Sequence, residues 1–381
     1  MPSMPSRRRA LLAAASALVV LAVATGCSAG GAPEQAGTAA ARTADSATSA
    51  TDPATSLQAI APVTDAKSVT GASTATLTTD LPPKASTVDE PELPVTVTDN
   101  QDTEVTVTSA DRILALDVYG TLSSTVYGLG LGGNLVGRDV STGFAGTEEL
   151  PLVTQNGHEL SAEAILALRP TVLLTDTSLG PWDVVLQIRK AGIPVVVVDS
   201  HRDTSNTDRI IDQVATALGV PETGARLVDE VHEQQEAVAA QVARIAPQSK
   251  ADKLRMVFLY VRGNAGIYYL FGQESGADSL IDAVGGRDIA TEQDWKGMRP
   301  VNAEALVAMQ SDLVIMMTKG LESVGGVDGL LQRVPAIAKT PAGQHRRIVD
   351  MADTTVMSFG PRTPEIVAAL AVAIYAPEWS R

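Results

Sequence analysis

Tyr260 and Arg262 could together bind a metal ion. They lie two residues apart in the apolar run 254–262. Alternate residues of a β-strand project to the same face, with Cα atoms roughly 7 Å apart, so the guanidinium could reach the tyrosine oxygen. A nearby positive charge favours the phenolate, an anionic donor that suits ferric iron. The alternative is a solvated tyrosine beside an arginine that pairs with a surface acid.

Two further candidate side chains each precede a predicted helix. His158 stands in the loop 156–159, and Met298 stands in the segment 296–298. Loops at strand ends line the ligand cleft of βα folds. The imidazole could bind a metal or make an ordinary polar contact, and the thioether could pack on a flat apolar ligand or in the core. The sequence spacing does not decide between the two roles of His158 or between the two roles of Met298.

The two helices belong to a sequence pattern that occurs twice. Residues 161–175 and 302–317 each contain a polar cap, a short amphipathic helix and an apolar strand. Glu163 and Glu304 occupy equivalent positions in the two copies, 141 residues apart. That offset is the size of a domain and not of a solenoid repeat. We therefore predict two lobes of similar construction, each presenting one carboxylate at an equivalent place.

The alternation of strands and helices predicts an α/β fold. We predict two Rossmann-like βαβ lobes joined by a single long helix, residues 222–245, with the ligand in the cleft between them. A helix of that length spans roughly 36 Å, so we expect only small closure of the lobes on binding. The predicted boundaries are 91–206 for the N-terminal lobe, 207–249 for the linking helices and 250–381 for the C-terminal lobe.

The N-terminal residues predict export and lipid attachment. Three arginines, residues 7–9, precede the apolar segment 10–23, which is too short to span a membrane comfortably. Small residues then lead to Cys27, the only cysteine in the chain. We predict a lipoprotein signal peptide over 1–26, with lipidated Cys27 anchoring the protein extracytoplasmically to the cell membrane. A cleaved signal with an incidental cysteine is the alternative.

The composition indicates which class of partner the protein binds and whether its N-terminal segment is ordered. The net charge is −15, and removal of residues 1–26, which carry three arginines and no acid, takes it to −18. Nucleic acid is therefore excluded as a partner, whereas a basic docking surface is favoured. Residues 27–90 are rich in Ala, Thr, Ser and Pro, which predicts a disordered tether. A hairpin is predicted over 94–108.

No P-loop, HExxH motif or nucleophile elbow is present in the sequence. An exported enzyme could use Tyr260 and His158 as acid and base, but no third catalytic partner stands at a recognisable spacing. We therefore predict that the protein is not an enzyme.

From about residue 113 onward, the chain resembles the hemin-binding lipoproteins of bacterial haem ABC importers (the HmuT type). These belong to the helical-backbone class of substrate-binding proteins. The resemblance rests on Gly-His before the first repeated helix, on Tyr-x-Arg after a strand, and on the segments 157–170, 258–263, 275–280 and 358–363. Residues 28 to about 105 lie outside the general pattern of the family.

The resemblance implies a function and a role for each candidate residue. His158 and Tyr260 would be the axial ligands of haem iron, Arg262 would donate a hydrogen bond to the tyrosine oxygen, and Glu163 and Glu304 would dock on arginines of the permease. The transported ligand would be ferric haem b, captured for iron acquisition and delivered by a monomer to an ABC permease and its ATPase. A ferric-siderophore or cobalamin binder of the same class is the alternative.

Overall fold

The computed structural model describes residues 52–263 and 266–380. The predicted signal peptide and Cys27 lie outside these residues. Within the described ranges, none of the helices combines the length and the apolar character needed to cross a bilayer.

The N-terminal lobe is built around a parallel sheet of three strands in the order β4-β7-β8. Every residue of these strands is buried, because helices pack on both faces of the sheet. The elements of the lobe are β2 (Val95–Thr98), β3 (Glu104–Val107), β4 (Ile113–Leu116), α2 (Thr121–Gly128), β5 (Thr154–Gln155), β6 (Glu159–Leu160), α3 (Ala162–Ala167), β7 (Val172–Thr175), α4 (Trp182–Lys190) and β8 (Val195–Val197).

The predicted hairpin forms from β2 and β3 and packs beside the edge strand β8. The backbone N–H of Asn100 donates to the Val197 carbonyl (2.7 Å). The buried Asp99 carboxylate accepts from the Val197 N–H (3.3 Å) and pairs with Arg189 (2.9 Å). The hairpin therefore completes the edge of the N-terminal lobe, where unpaired strand groups would otherwise face solvent.

The segment between the lobes contains two helices: α5 (Thr207–Ala217), which packs in the core of the N-terminal lobe, and α6 (Pro221–Ile245). The long helix α6 contributes to both hydrophobic cores. Leu227 and Val231, in its N-terminal half, lie in the core of the N-terminal lobe. Val238 and Val242, in its C-terminal half, lie in the core of the C-terminal lobe. The helix has 25 residues, which corresponds to roughly 37 Å at 1.5 Å per residue.

The C-terminal lobe contains a sheet whose first edge strand is β1 (Ser73–Ala75) and whose order is β1-β14-β13-β9-β10-β12, with β11 paired to β9. Strands β1, β14, β13 and β9 run parallel, whereas β10 and β12 pair antiparallel. The elements are β9 (Arg255–Arg262), β10 (Ile267–Phe271), α7 (Ala277–Ala283), β11 (Arg287–Asp288), α8 (Ile289–Glu292), β12 (Met298–Pro300), α9 (Ala303–Met309), β13 (Leu313–Met317), α10 (Thr318–Ser323), α11 (Gly326–Arg333), α12 (Pro341–Gln344), β14 (Ile348–Met351) and α13 (Thr363–Tyr375).

The prediction of a disordered tether over 27–90 is wrong for its described part, residues 52–90. This part forms α1 (Pro53–Ala59) and β1 (Ser73–Ala75). Leu57 and Ile60 are buried against α6 and α13, and β1 pairs in parallel with β14. The composition averaged over 27–90 did not predict this order, because only a few apolar residues of the segment are buried. They are ordered because the lobe offers them an apolar surface and an unpaired strand edge.

The burial of α1 predicts a measurable contribution to folding stability. Leu57→Ala should lower the free energy of unfolding by about 2–5 kcal/mol, because it removes a fully buried side chain and leaves a cavity. Urea denaturation of residues 28–381 would measure the change. Gln58→Ala, at an exposed position of the same helix, is the control. Equal stabilities of the Leu57→Ala and parent proteins would contradict the packing of α1.

Candidate ligand-binding site

A cavity of about 420 Å³ lies between the lobes. The N-terminal lobe contributes Val118, Tyr119, Val140, Ser141 and His158, and the C-terminal lobe contributes Tyr260, Arg262, Met298 and Lys319 among others. Phe271, Met317 and Met357 add apolar side chains to the wall. The structure thus brings four predicted site residues to one cavity, although His158 and Tyr260 are 102 residues apart in sequence.

Tyr260 and Arg262 project from the same face of β9, as the two-residue spacing predicted. Val257, Leu259 and Val261 project from the other face into a hydrophobic core. The Arg262 Nε–H donates a hydrogen bond to the Tyr260 hydroxyl oxygen at 2.5 Å. Because the guanidinium carries only donors, the tyrosine oxygen is the acceptor, and the contact fixes the position of that oxygen at the cavity wall.

His158 stands at the tip of the tight hairpin formed by β5 and β6. Asn156 and Gly157 adopt φ of 49° and 93°, a left-handed turn that glycine and asparagine allow at low cost. His158 Nδ1 is buried and has no hydrogen-bond partner within the described residues. Burial, and then the positive charge of Arg262, lower the pKa of His158 below its usual value. The imidazole is therefore neutral near pH 7 and able to donate an electron pair.

The cavity combines two unlike donors with apolar walls. A neutral nitrogen donor comes from the N-terminal lobe, and an oxygen that accepts a hydrogen bond from an arginine comes from the C-terminal lobe. Met298 begins β12 and is 53% exposed, so the alternative of a core methionine is wrong and its thioether is free to pack on a ligand. The arrangement suits a metal centre carried by a flat apolar molecule.

A buried group of acids behind the cavity was missed by the sequence analysis. Asp117 accepts hydrogen bonds from the first turn of α2, at the Leu122 N–H (3.0 Å). Asp139 accepts from the Ser141 N–H (2.7 Å), and burial, followed by the Asp117 carboxylate, raises the pKa of Asp139 to about 7. Asp176 pairs with the buried Arg202 (2.7 Å).

These acids hold the loops that carry the cavity-lining residues Tyr119 and Ser141. A sequence signal was available for two of them, because Asp117 directly follows the apolar run 113–116 and Asp176 directly follows the run 172–175. Acidic side chains at the carboxyl ends of neighbouring strands converge at one edge of a sheet.

Glu163 and Glu304 lie in the first turns of α3 and α9, outside the cavity. Each helix has a side-chain cap: Ser161 Oγ accepts from the Ala164 N–H (3.3 Å), and Asn302 Oδ1 accepts from the Ala305 N–H (2.8 Å). Both glutamates are exposed, and neither forms an ion pair within the described chain. The two copies of the repeat therefore present equivalent free carboxylates, one on each lobe.

The chain is similar in sequence and in fold to known binding proteins. The sequence pattern of the family described as "Periplasmic binding protein" matches residues 118–355. The crystal structure of heme binding protein HmuT is similar, with 38% identity, a TM-score of 0.78, and coverage of 82% of this chain and 100% of that chain. The periplasmic heme-binding protein RhuT from Roseiflexus sp. RS-1 is 34% identical, with a TM-score of 0.64, and covers 71% of this chain and 99% of that chain.

A curated sequence relative is the uncharacterized ABC transporter substrate-binding lipoprotein YvrC of Bacillus subtilis (strain 168). It is 24% identical over 285 residues, covering 74% of this chain and 86% of the relative. These findings confirm the predicted α/β fold class and the resemblance stated from the sequence. They also confirm the prediction of a binding protein and not an enzyme. Since the matched pattern spans more than half of the 381 residues, this chain belongs to the periplasmic binding protein family.

Proposed function

We propose that the protein is an extracytoplasmic haem receptor that delivers haem to an ABC permease. The observation that carries the proposal is the pair of donors in one cavity: Tyr260, whose oxygen accepts a hydrogen bond from Arg262, and His158, whose pKa is lowered. The similarity to HmuT and RhuT, both described as heme-binding proteins, supports this choice of ligand.

The two donors would bind opposite faces of haem iron as axial ligands. An anionic phenolate oxygen is a strong donor to Fe(III), so ferric haem b is the form the site favours. The porphyrin would lie between the lobes against apolar side chains that include Met298, Met317 and Phe271. Burial of the porphyrin supplies most of the affinity, and the iron bonds distinguish haem from other flat apolar molecules.

Delivery would involve the two exposed glutamates and the lipid anchor. Glu163 and Glu304 would pair with arginines of a permease that works with an ATPase, one carboxylate on each lobe. Lipidated Cys27 would keep the monomeric receptor at the membrane surface, where the permease resides. The mature charge of −18 supports docking on a basic surface.

Titration of residues 28–381 with hemin tests the proposal directly. We expect a one-to-one complex with a shifted Soret band. No spectral change with hemin, together with binding of a ferric siderophore or a cobalamin, would instead assign the chain to another ligand class of the same family.

The two axial ligands should contribute unequally to affinity. Tyr260→Ala should weaken binding of ferric haem more than His158→Ala, because an anionic oxygen is the stronger donor to Fe(III). Soret titrations of both variants would measure the dissociation constants. Tyr260→Phe should behave like Tyr260→Ala, since it keeps the ring and removes only the oxygen. Tyr268→Phe, on β10 and outside the cavity lining, is the control. Equal affinity in Tyr260→Ala and the parent protein would reject the ligand role.

The protonation of His158 should depend on Arg262. In the free protein, an imidazole NMR titration should give a midpoint below 6.5, because burial and the guanidinium disfavour the charged form. His158 therefore stays neutral as the pH falls through 6.5 and becomes charged only at lower pH. Arg262→Gln should move the midpoint upward. Arg299→Gln, exposed on β12, should leave it unchanged. An unshifted midpoint in Arg262→Gln would show that the two side chains do not interact.

Changes at the docking glutamates should separate uptake from binding. The double variant Glu163→Gln, Glu304→Gln should bind hemin like the parent, because both side chains lie outside the cavity, but should lose haem uptake in cells. Glu322→Gln, another exposed glutamate of the C-terminal lobe, is the control and should support uptake. Loss of hemin affinity in the double variant would refute the docking role.

A further inference from the structure

One basic side chain of the cavity has no part in holding the iron. Lys319 is the second residue of α10, directly after β13. Its backbone N–H donates to the Asp353 carboxylate at 2.9 Å, which fixes the position from which the side chain extends. Its ammonium forms no ion pair or hydrogen bond with any other residue that the structure describes.

The charged side chains of the cavity lining show which cation is available to a ligand. Arg262 and Lys319 are the positive side chains of the lining, with His158 neutral, and Glu274 and Asp353 are the negative ones. The formal charges of these four side chains sum to zero. Arg262 already donates to Tyr260, so Lys319 is the cation available for an anionic group of a ligand.

We propose that Lys319 pairs with a propionate carboxylate of the bound porphyrin. This inference rests on the proposed function, because haem carries its two carboxylates on one edge of an otherwise apolar ring. Lys319 would place that edge near α10 and make the site selective for porphyrins with free carboxylates. Without Lys319, the lining would carry a net charge of −1 against a dianionic edge.

Hemin and its dimethyl ester together test this pairing. Lys319→Met should weaken hemin binding by about fivefold, the upper end for a solvent-exposed ion pair, and leave the Soret maximum unchanged because the axial ligands remain. Lys319→Arg should restore most of the affinity. The ester, which lacks the carboxylate charge, should bind the parent and Lys319→Met equally.

The controls separate this proposal from the proposed function. Lys339→Met, at an exposed lysine outside the cavity, should bind hemin like the parent. Equal hemin affinity of Lys319→Met and the parent, or an equal loss for hemin and ester, would overturn the pairing alone. Failure of the parent protein to bind hemin or its ester would overturn the proposed function.

A second inference comes from the segment that joins β1 to β2. Residues 76–93, here called the strap, leave the C-terminal lobe at the end of β1 and reach the N-terminal lobe before β2. Arg362, at the start of α13, donates to the Thr79 carbonyl at 2.9 Å. One residue later, the Asp80 carbonyl accepts from the Ala145 N–H of the N-terminal lobe at 3.3 Å.

The rest of the strap is attached to the N-terminal lobe and to α6. The Ala85 N–H donates to the Gly128 carbonyl at 2.9 Å, and the Ala85 side chain lies in the core of that lobe. Asp89 pairs with Arg226 and accepts from the Thr223 hydroxyl at 3.0 Å on α6. The Glu92 N–H donates to the Gly219 carbonyl at 2.8 Å.

The backbone of the strap packs closely on the residues beneath it. A Cβ at Gly219, where φ is +73°, would stand 2.6 Å from the Glu92 carbonyl oxygen. A Cβ at Gly128 would stand 3.0 Å from the Pro83 carbonyl oxygen. The approach at Gly219 requires glycine, both for space and for its positive φ, and the contact at Gly128 is tight for any larger residue.

We infer that the strap is a second tie between the lobes and limits how far they separate. Helix α6 alone would allow the lobes to bend apart about its middle. The strap is fixed to one lobe at Thr79 and to the other at Ala85, and six residues can span at most about 20 Å when fully extended. The cavity between the lobes therefore opens within a fixed range.

Cutting the strap without removing it tests this inference. A protease recognition sequence inserted between Leu81, which is 39% exposed, and Pro82 allows the same sample to be compared before and after cleavage. Spin labels at Gln187→Cys and Lys339→Cys, one on each lobe, would give the inter-lobe distance distribution in the free protein. We expect cleavage to broaden this distribution and to raise the rate of hemin dissociation by about fivefold or more.

Two outcomes would overturn the inference. Identical distance distributions before and after cleavage would show that α6 alone sets the lobe separation. Unfolding upon cleavage, followed by circular dichroism, would show that the strap holds the lobes themselves together. The uncut sample is the matched control throughout.

Discussion

The membership of α6 in two hydrophobic cores is the constraint on which the cleft depends. Its N-terminal half is buried with the core of one lobe and its C-terminal half with the core of the other. Rotation of one lobe against the other must therefore bend a continuous helix or expose part of a core, and both cost free energy. The helix thereby restricts the relative movement of β9 and the β5–β6 hairpin, which carry Tyr260 and His158 on opposite sides of the cavity.

Within that frame, one guanidinium influences both donors. Arg262 donates a hydrogen bond to the Tyr260 oxygen and fixes its position. Its positive charge acts on His158, where it disfavours the cationic form and adds to the effect of burial. A single arginine therefore orients one of these side chains and acts electrostatically on the other. Its placement two residues beyond the tyrosine on one strand makes this double role possible.

The sequence predicted the local features of the fold well. The two-residue alternation placed Tyr260 and Arg262 on one face of a strand, and the repeated pattern placed Glu163 and Glu304 at equivalent helix starts. Both results depend on short-range periodicity, which a single sequence contains. The cavity itself required the resemblance, because no spacing rule brings His158 to Tyr260.

The errors arose where long-range packing decides the outcome. Residues 52–90 have the composition of a disordered segment, yet Leu57 and Ile60 find an apolar surface on α6 and α13. Composition averages over many residues, whereas order here depends on a few buried contacts and on the free edge of β14. The Asp139 group was missed for a similar reason, because its members meet only when the strands are aligned in the sheet.

The position of the two exposed glutamates has a further consequence. Glu163 and Glu304 stand on short capped helices that belong to different lobes, so the distance between their carboxylates is set by the angle between the lobes. A partner that contacted both carboxylates at once would bind best at one distance between them, and therefore at one angle between the lobes. A loaded and an empty receptor that differed by a few degrees could then be told apart from outside, without any contact with the cargo.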